Sequence, residues 1–169
     1  MSHAKNKLNW CLKKAEKELK QGKKHRGLIS IKPDIKKAKD HIIKAEHYLK
    51  ATDYLKKGNF SDISTSTVFY SMYHCLVAIA AKFGYESGNQ ECTFALISAL
   101  IEEGKINFEQ SLLDGISQLE IQEETQTSVE IREQYQYGTS LSIKDDNLYS
   151  KLFSLAQDVL SKTKIIIEE

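Results

Sequence analysis

Glycine and proline are scarce in this chain: eight glycines and one proline in 169 residues, under half of the ~12% that globular proteins usually carry. Hairpins and multi-stranded sheets need these residues at their turns, so the shortage argues against a β-rich fold and for helices. Long apolar runs are missing too. The longest, from Val68 to Ala81, is 14 residues interrupted by Ser71 and His74, short of the ~20 a membrane-spanning helix needs, and no transmembrane segment is expected. From Met1 to Leu19 lysines alternate with scattered apolar residues, without the continuous apolar stretch of a secretory signal. The expected compartment is the cytoplasm. The three cysteines, Cys11, Cys75 and Cys92, form no Cys-x-x-Cys pair and have no histidine at ligand spacing, which predicts reduced thiols. Arginine is nearly absent: of 24 basic residues only Arg26 and Arg132 are arginines, which weighs against bidentate readout of phosphates or bases.

What is present suits one soluble globular domain, with 41% hydrophobic and 28% charged residues and a length that buries about 70% of the unfolded surface. The formal net charge of +1 hides an uneven distribution. Met1 to Lys57 holds 17 Lys/Arg and 6 Asp/Glu, whereas Gly58 to Glu169 holds 7 and 17. Such asymmetry suits either a polyanion-binding face or a basic segment packed beside an acidic one, within the chain or across a dimer, and the second is the commoner fate of a charge run.

Apolar spacing divides the chain into helices. Leu8, Cys11, Leu12, Ala15 and Leu19 step by three and four residues along about Lys5 to Gln21. Gly22 ends that helix, residues 23–32 form a basic connector, and Pro33 starts the next helix, whose stripe runs Ile35, Ala38, Ile42, Ala45, Leu49, Thr52, Leu55 to a stop at Gly58. Asn59 is placed to cap a third helix reaching Phe83. This one is apolar all round and therefore central. A shorter helix runs from about Gln90 to Glu103 before Gly104. Asn107 to Tyr137 reads as one long helix, or as two shorter ones parted by a kink or a flexible break at the polar middle 122–128, and the last helix spans about Lys144 to Ile167. The expectation is a single all-α domain over 1–169: a basic N-terminal helix and connector at 1–32, and an up-and-down antiparallel bundle core at 33–169, about five to six helices in all.

Signatures of familiar enzymes are lacking: no Gly-rich phosphate cradle, no Gly-x-Ser-x-Gly elbow, no His-Glu-x-x-His. Adjacent carboxylates such as Glu102 with Glu103 and Glu123 with Glu124 point to different sides of a helix and suit solvation. His41 and His47 stand six residues apart, about 240° around a helix, so no metal site is expected. His74 lies in the central helix, where a buried imidazole needs a partner and reads as structural. Cys75, in the same apolar segment, reads as an inert thiol. The most distinctive stretch is Arg132 to Gly138, where an isolated arginine precedes Tyr135 and Tyr137, a set able to hold a phosphate and stack a base. The alternative is an arginine paired with an acidic neighbour and tyrosines that finish the core.

Four segments carry a resemblance. Asp40-His-Ile-Ile-Lys-Ala-Glu-His-Tyr-Leu49, Val68-Phe-Tyr-Ser-Met-Tyr-His74, Gln90-Glu-Cys-Thr93 and Arg132 to Gly138, in that order and spacing, resemble the HEPN family (higher eukaryote and prokaryote nucleotide-binding domains), in particular its small stand-alone members. The resemblance covers most of the chain. It implies a HEPN-like helical bundle, commonly dimeric, acting as an RNase toxin, beside a minimal nucleotidyltransferase partner, or as a nucleotide or RNA binder. Nuclease members place a His four to six residues after the arginine. Here no histidine follows His74, and the positions at that spacing include Tyr137 and Gly138. Tyrosine, with an ordinary pKa near 10, is a poor base, so no catalytic residue is assigned.

The expected function is therefore that of a non-catalytic cytoplasmic protein, a homodimer without cofactor or metal, binding a nucleotide, RNA or a protein partner. Arg132, Gln136 and Tyr137 are the candidate ligand contacts. Lys23, Lys24, Arg26 and Lys32 form an anion-attracting edge. An RNase with a degenerate site and a purely structural dimeric module are the alternatives.

Overall fold

The computed structural model describes residues 2–117 and 127–169. Seven helices and one two-stranded sheet make up the described residues: α1 (His3–Lys20), β1 (Leu28–Ser30), α2 (Ile35–Lys57), α3 (Ser61–Lys82), β2 (Tyr85–Ser87), α4 (Gln90–Glu102), α5 (Gln110–Ile116), α6 (Ser128–Tyr137) and α7 (Asp146–Glu168). The protein is mostly helical, as the composition requires.

Side chains just outside the helices accept the first unpaired N–H groups. Asp34 caps α2 through a 2.8 Å bond from the Lys37 amide, and Asn89 caps α4 through a 2.7 Å bond from Cys92. Pro33 lies one residue before the α2 cap. The expected capping role of Asn59 does not hold. Its backbone is left-handed, φ +64°, and the Phe60 amide reaches back to the Leu55 carbonyl, so the pair closes α2 while α3 begins without a side-chain cap.

α3 is the central helix, with Phe69, Met72, Leu76 and Ile79 fully buried against α2, α4, α6 and α7. Its 22 residues reach beyond the apolar run read from the sequence, and it is long and apolar enough to cross a membrane; 61% of its most apolar window is buried inside the molecule. Small residues let α2 come close: the Ser71 hydroxyl donates to the Ala45 carbonyl at 2.8 Å, and the Thr52 and Thr67 hydroxyls meet at 2.8 Å.

Two further expectations are corrected and one open reading is decided. The connector 23–32 and the loop 84–89 contain the antiparallel strands β1 and β2, with Ile29 opposite Glu86. Three-residue strands are too short to show a period of two. They are set instead by Gly84, whose φ is +77° and at which a Cβ would lie 2.8 Å from the Ile31 carbonyl, leaving no room for a side chain. Second, of the alternatives for 107–137 the single continuous helix is excluded, because Ser117 and Thr127 are both extended; residues 122–126 of the polar middle lie outside the described residues. Third, Cys11 and Cys92 are not reduced thiols. They form a disulfide that ties α1 to α4, with their Cα atoms 5.8 Å apart. Cys75 alone is free and buried, and burial pushes its thiol up to about 12.

Candidate anion-binding site

The structure separates the α6 candidates. Arg132 and Gln136 lie one turn apart on α6, but the Arg132 side chain is only 9% exposed, whereas Gln136 is exposed and Tyr137 is 78% exposed. The Arg132 guanidinium lies 4.4 Å from the centre of the Phe69 ring and 5.9 Å from that of Tyr70, both on α3. Its ion pair is with the exposed Glu133, 3.4 Å away, and its Nε has no partner among the described residues. The arginine thus seals α6 onto α3 by stacking on a ring, and its charge is weakly compensated. A ligand could meet Arg132 only at its narrow exposed edge.

A ribbon of half-buried rings, unforeseen from the sequence, runs from Arg132 along the α2–α3 interface. Tyr70 and Tyr48 have centroids 5.8 Å apart, Tyr48 stacks on His74 at 5.4 Å, and His74 stacks on His41 at 5.2 Å. His74 has the partner that a buried imidazole requires: its Nδ1 is 2.9 Å from Nδ1 of His41. Burial holds both imidazoles below the ordinary histidine range, His74 at about 4, with Lys37 adding to the effect on His41, and His41 and Lys44 to that on His74. Their seven- and four-residue spacings, 41 to 48 and 70 to 74, put each pair on one helix face, and that was the available signal.

The basic edge is where the sequence candidates converge. Lys23, Lys24 and Arg26 surround one cleft of about 750 Å³ whose remaining lining is Glu18, His25 and Gly88. Lys32 is exposed but does not line it. The strand pair creates the cleft. Gly88 donates to the Gly27 carbonyl at 2.7 Å, Asn89 donates through its side chain to the Arg26 carbonyl, and the Glu18 carboxylate accepts from the Arg26 amide. A Cβ at Gly27 would lie 2.2 Å from the Cys11 carbonyl, so only glycine lets the connector lie this close to α1. His25 is 8% exposed; its Nε2 is 3.4 Å from Glu86, and its Nδ1 has no partner among the described residues. Glu86, held below the usual carboxylate range by His25 and then Lys37, joins the edge to α2.

Lys23, Lys24 and Arg26 have no ion pair with any described residue, whereas Lys5, Lys7, Lys37 and Lys56 pair with Glu103, Glu91, Glu86 and Asp146 of the acidic part of the chain. Intramolecular packing therefore neutralises part of the basic segment and leaves the cleft positive. Among the described residues no group of three or more His, Cys, Asp or Glu side chains is arranged to hold a metal. Glu102 and Glu103 are exposed and occupied by surface contacts with Ser2, Lys5 and Lys105; Glu123 and Glu124 lie outside the described residues. No protein-family model matches the chain, and no curated protein sequence matches it.

Proposed function

We propose that the protein is a non-catalytic, HEPN-like cytoplasmic binder of RNA or a nucleotide, engaged through phosphate groups at the cleft between α1 and the β1–β2 pair. The observation that carries this reading is the meeting of Lys23, Lys24 and Arg26 around one cleft, none of them in an ion pair among the described residues, beside a buried His25. Phosphate oxygens are the acceptors that such donors suit, and point-charge lysines favour a flexible polyanion over one fixed bidentate ligand. The four family-like segments, with α3 at the centre, support the HEPN-like reading of the bundle. A cytoplasmic setting requires the Cys11–Cys92 bond to resist reduction, and the full burial of both residues restricts access by soluble thiols.

The test is binding of a labelled mixed-sequence RNA to the protein and to its Lys23→Ala/Lys24→Ala/Arg26→Ala variant at low salt. The expected result is at least a tenfold loss of affinity with an unchanged melting temperature. Equal affinity contradicts the assignment and favours a protein ligand, such as a minimal nucleotidyltransferase.

One observation favours a second reading, an RNase with a degenerate site: neutral His41 and His74 share a ribbon of rings with Arg132, and imidazole is the side chain best suited to move a 2′-hydroxyl proton. RNA cleavage that disappears in His74→Gln would support it; intact RNA after prolonged incubation is the result expected here. The proposed homodimer has a candidate surface at the end of the bundle where Ile143 N–H donates to the Ser61 hydroxyl at 2.8 Å, close in the chain to exposed Phe60, Ile63 and Leu141.

A further inference from the structure

The outer face of α1 carries an aromatic ring that the cleft does not use. Trp10, the one tryptophan of the chain, is 46% exposed and lines a second groove, of about 520 Å³, together with Lys13, Lys14, Lys17 and Lys23. The two grooves adjoin, since Glu18 and Lys23 line both. Across them the cations are Lys13, Lys14, Lys17, Lys23, Lys24 and Arg26, and the one acid is Glu18, whose carboxylate already accepts from the Arg26 amide. The ammonium groups of Lys7 and Lys14 lie over the Trp10 ring, 4.3 and 5.0 Å from its centre, so the ring already attracts cations to its face.

We infer that this face binds single-stranded RNA, with a base stacked on Trp10 and the flanking backbone carried over Lys13, Lys17 and Lys23 into the cleft. The inference rests on the phosphate-binding reading above and adds to it a strand class and a base contact. An unpaired base is required, because only a base out of a duplex offers its face to a side-chain ring. A stacking base displaces Lys14 from the ring, and its ammonium turns to the adjacent phosphate, so the attraction of cation for π-face is exchanged for that of cation for anion. Lys7 remains tied to Glu91. A second polyanion, an anionic membrane, suits the face less well. α1 turns its apolar residues Ala4, Cys11 and Ala15 into the molecule and is fixed there by the disulfide to α4, leaving only Trp10 and Leu19 as large exposed apolar side chains of α1 to enter a bilayer.

Because Trp10 is the sole tryptophan, its emission reports on the contact directly. The full chain is titrated with a 20-nucleotide single-stranded RNA, with long-chain polyphosphate, with a 20-base-pair RNA duplex, and with vesicles of phosphatidylcholine and phosphatidylserine. The inference predicts saturable quenching by the single strand alone, competition by polyphosphate without quenching, and a roughly tenfold loss of single-strand affinity in Trp10→Ala. Polyphosphate affinity is expected to stay unchanged in that variant, and Trp10→Phe to restore most of the RNA affinity. Single-strand binding with no quenching and no effect of Trp10→Ala overturns the stacking contact and leaves the cleft standing. Failure of every polyanion to bind at low salt overturns the cleft as well. A blue-shifted emission with vesicles, without RNA quenching, overturns the inference in favour of a membrane surface.

Discussion

His74 and His41 exchange one hydrogen bond between their Nδ1 atoms, so one of these nitrogens carries a hydrogen and the other accepts. A first added proton can be shared between the rings; a second cannot. Burial already holds both imidazoles below their ordinary value, His74 at about 4, whereas each returns to about 6.5 in the unfolded chain. The unfolded state therefore binds more protons between these values. Stability from this source is complete above about pH 6.5 and is lost as the pH falls toward about 4. The melting temperature is expected to drop across that window, and His74→Gln to flatten the drop; a variant profile that follows the wild type would assign the pH dependence to other groups. Arg132 gives a second prediction at this scale. A buried guanidinium with one weak partner contributes through packing more than through charge, so Arg132→Met is expected to keep the wild-type stability in chemical denaturation. Arg132→Ala should lose about 2–3 kcal/mol with the contact over Phe69. Met costing as much as Ala would mean that the charge itself is needed. The sequence already marked Arg132 as isolated and His74 as requiring a partner, but neither Phe69 beneath the arginine nor His41 beside the histidine follows from spacing along one helix.

α1 is held by a covalent bond that closes a long loop, the two cysteines being 81 residues apart. Constraining the unfolded chain by a loop of that length is worth about 4 kcal/mol. Cys11→Ser/Cys92→Ser should lower stability by an amount of this order. Alkylation of the denatured chain without reductant should label Cys75 alone, and after reduction all three cysteines; three labels without reductant would contradict the bond. The helices themselves were legible because a period of 3.6 is a local property, and α1 to α4 and α7 lie close to where their apolar stripes put them. The strand pair and the disulfide were not legible, because each depends on one element meeting another far along the chain: β1 meets β2 across some fifty residues, and Cys11 meets Cys92 only once α1 has packed on α4. The break between α5 and α6 was visible as a loss of apolar period after Leu119, though the periodicity alone also allowed a single helix.

Over the whole molecule, the opposed charges of the two parts of the chain are answered in part internally. Lys5, Lys7, Lys37 and Lys56 reach acids of the later segments, and the sequence offered that outcome beside a polyanion face without a means of choosing between them. In the structure the lysines that pair with acids and those that line the clefts are different residues, so internal pairing leaves a positive edge. Self-association belongs to this scale as well. Light scattering at micromolar concentration is expected to give twice the monomer mass of 19.3 kDa, and Phe60→Ser/Leu141→Ser to halve it; a wild-type monomer removes the dimer from the account. The central claim, that the cleft on the basic edge takes phosphate, is tested most directly by the salt dependence of single-stranded RNA binding. Each phosphate neutralised on a single strand contributes about −0.7 to the slope of log K against log salt. Substituting Lys23, Lys24 and Arg26 by alanine together should therefore flatten that slope by about 2. An unchanged slope, or no binding by the wild type at low salt, would contradict it.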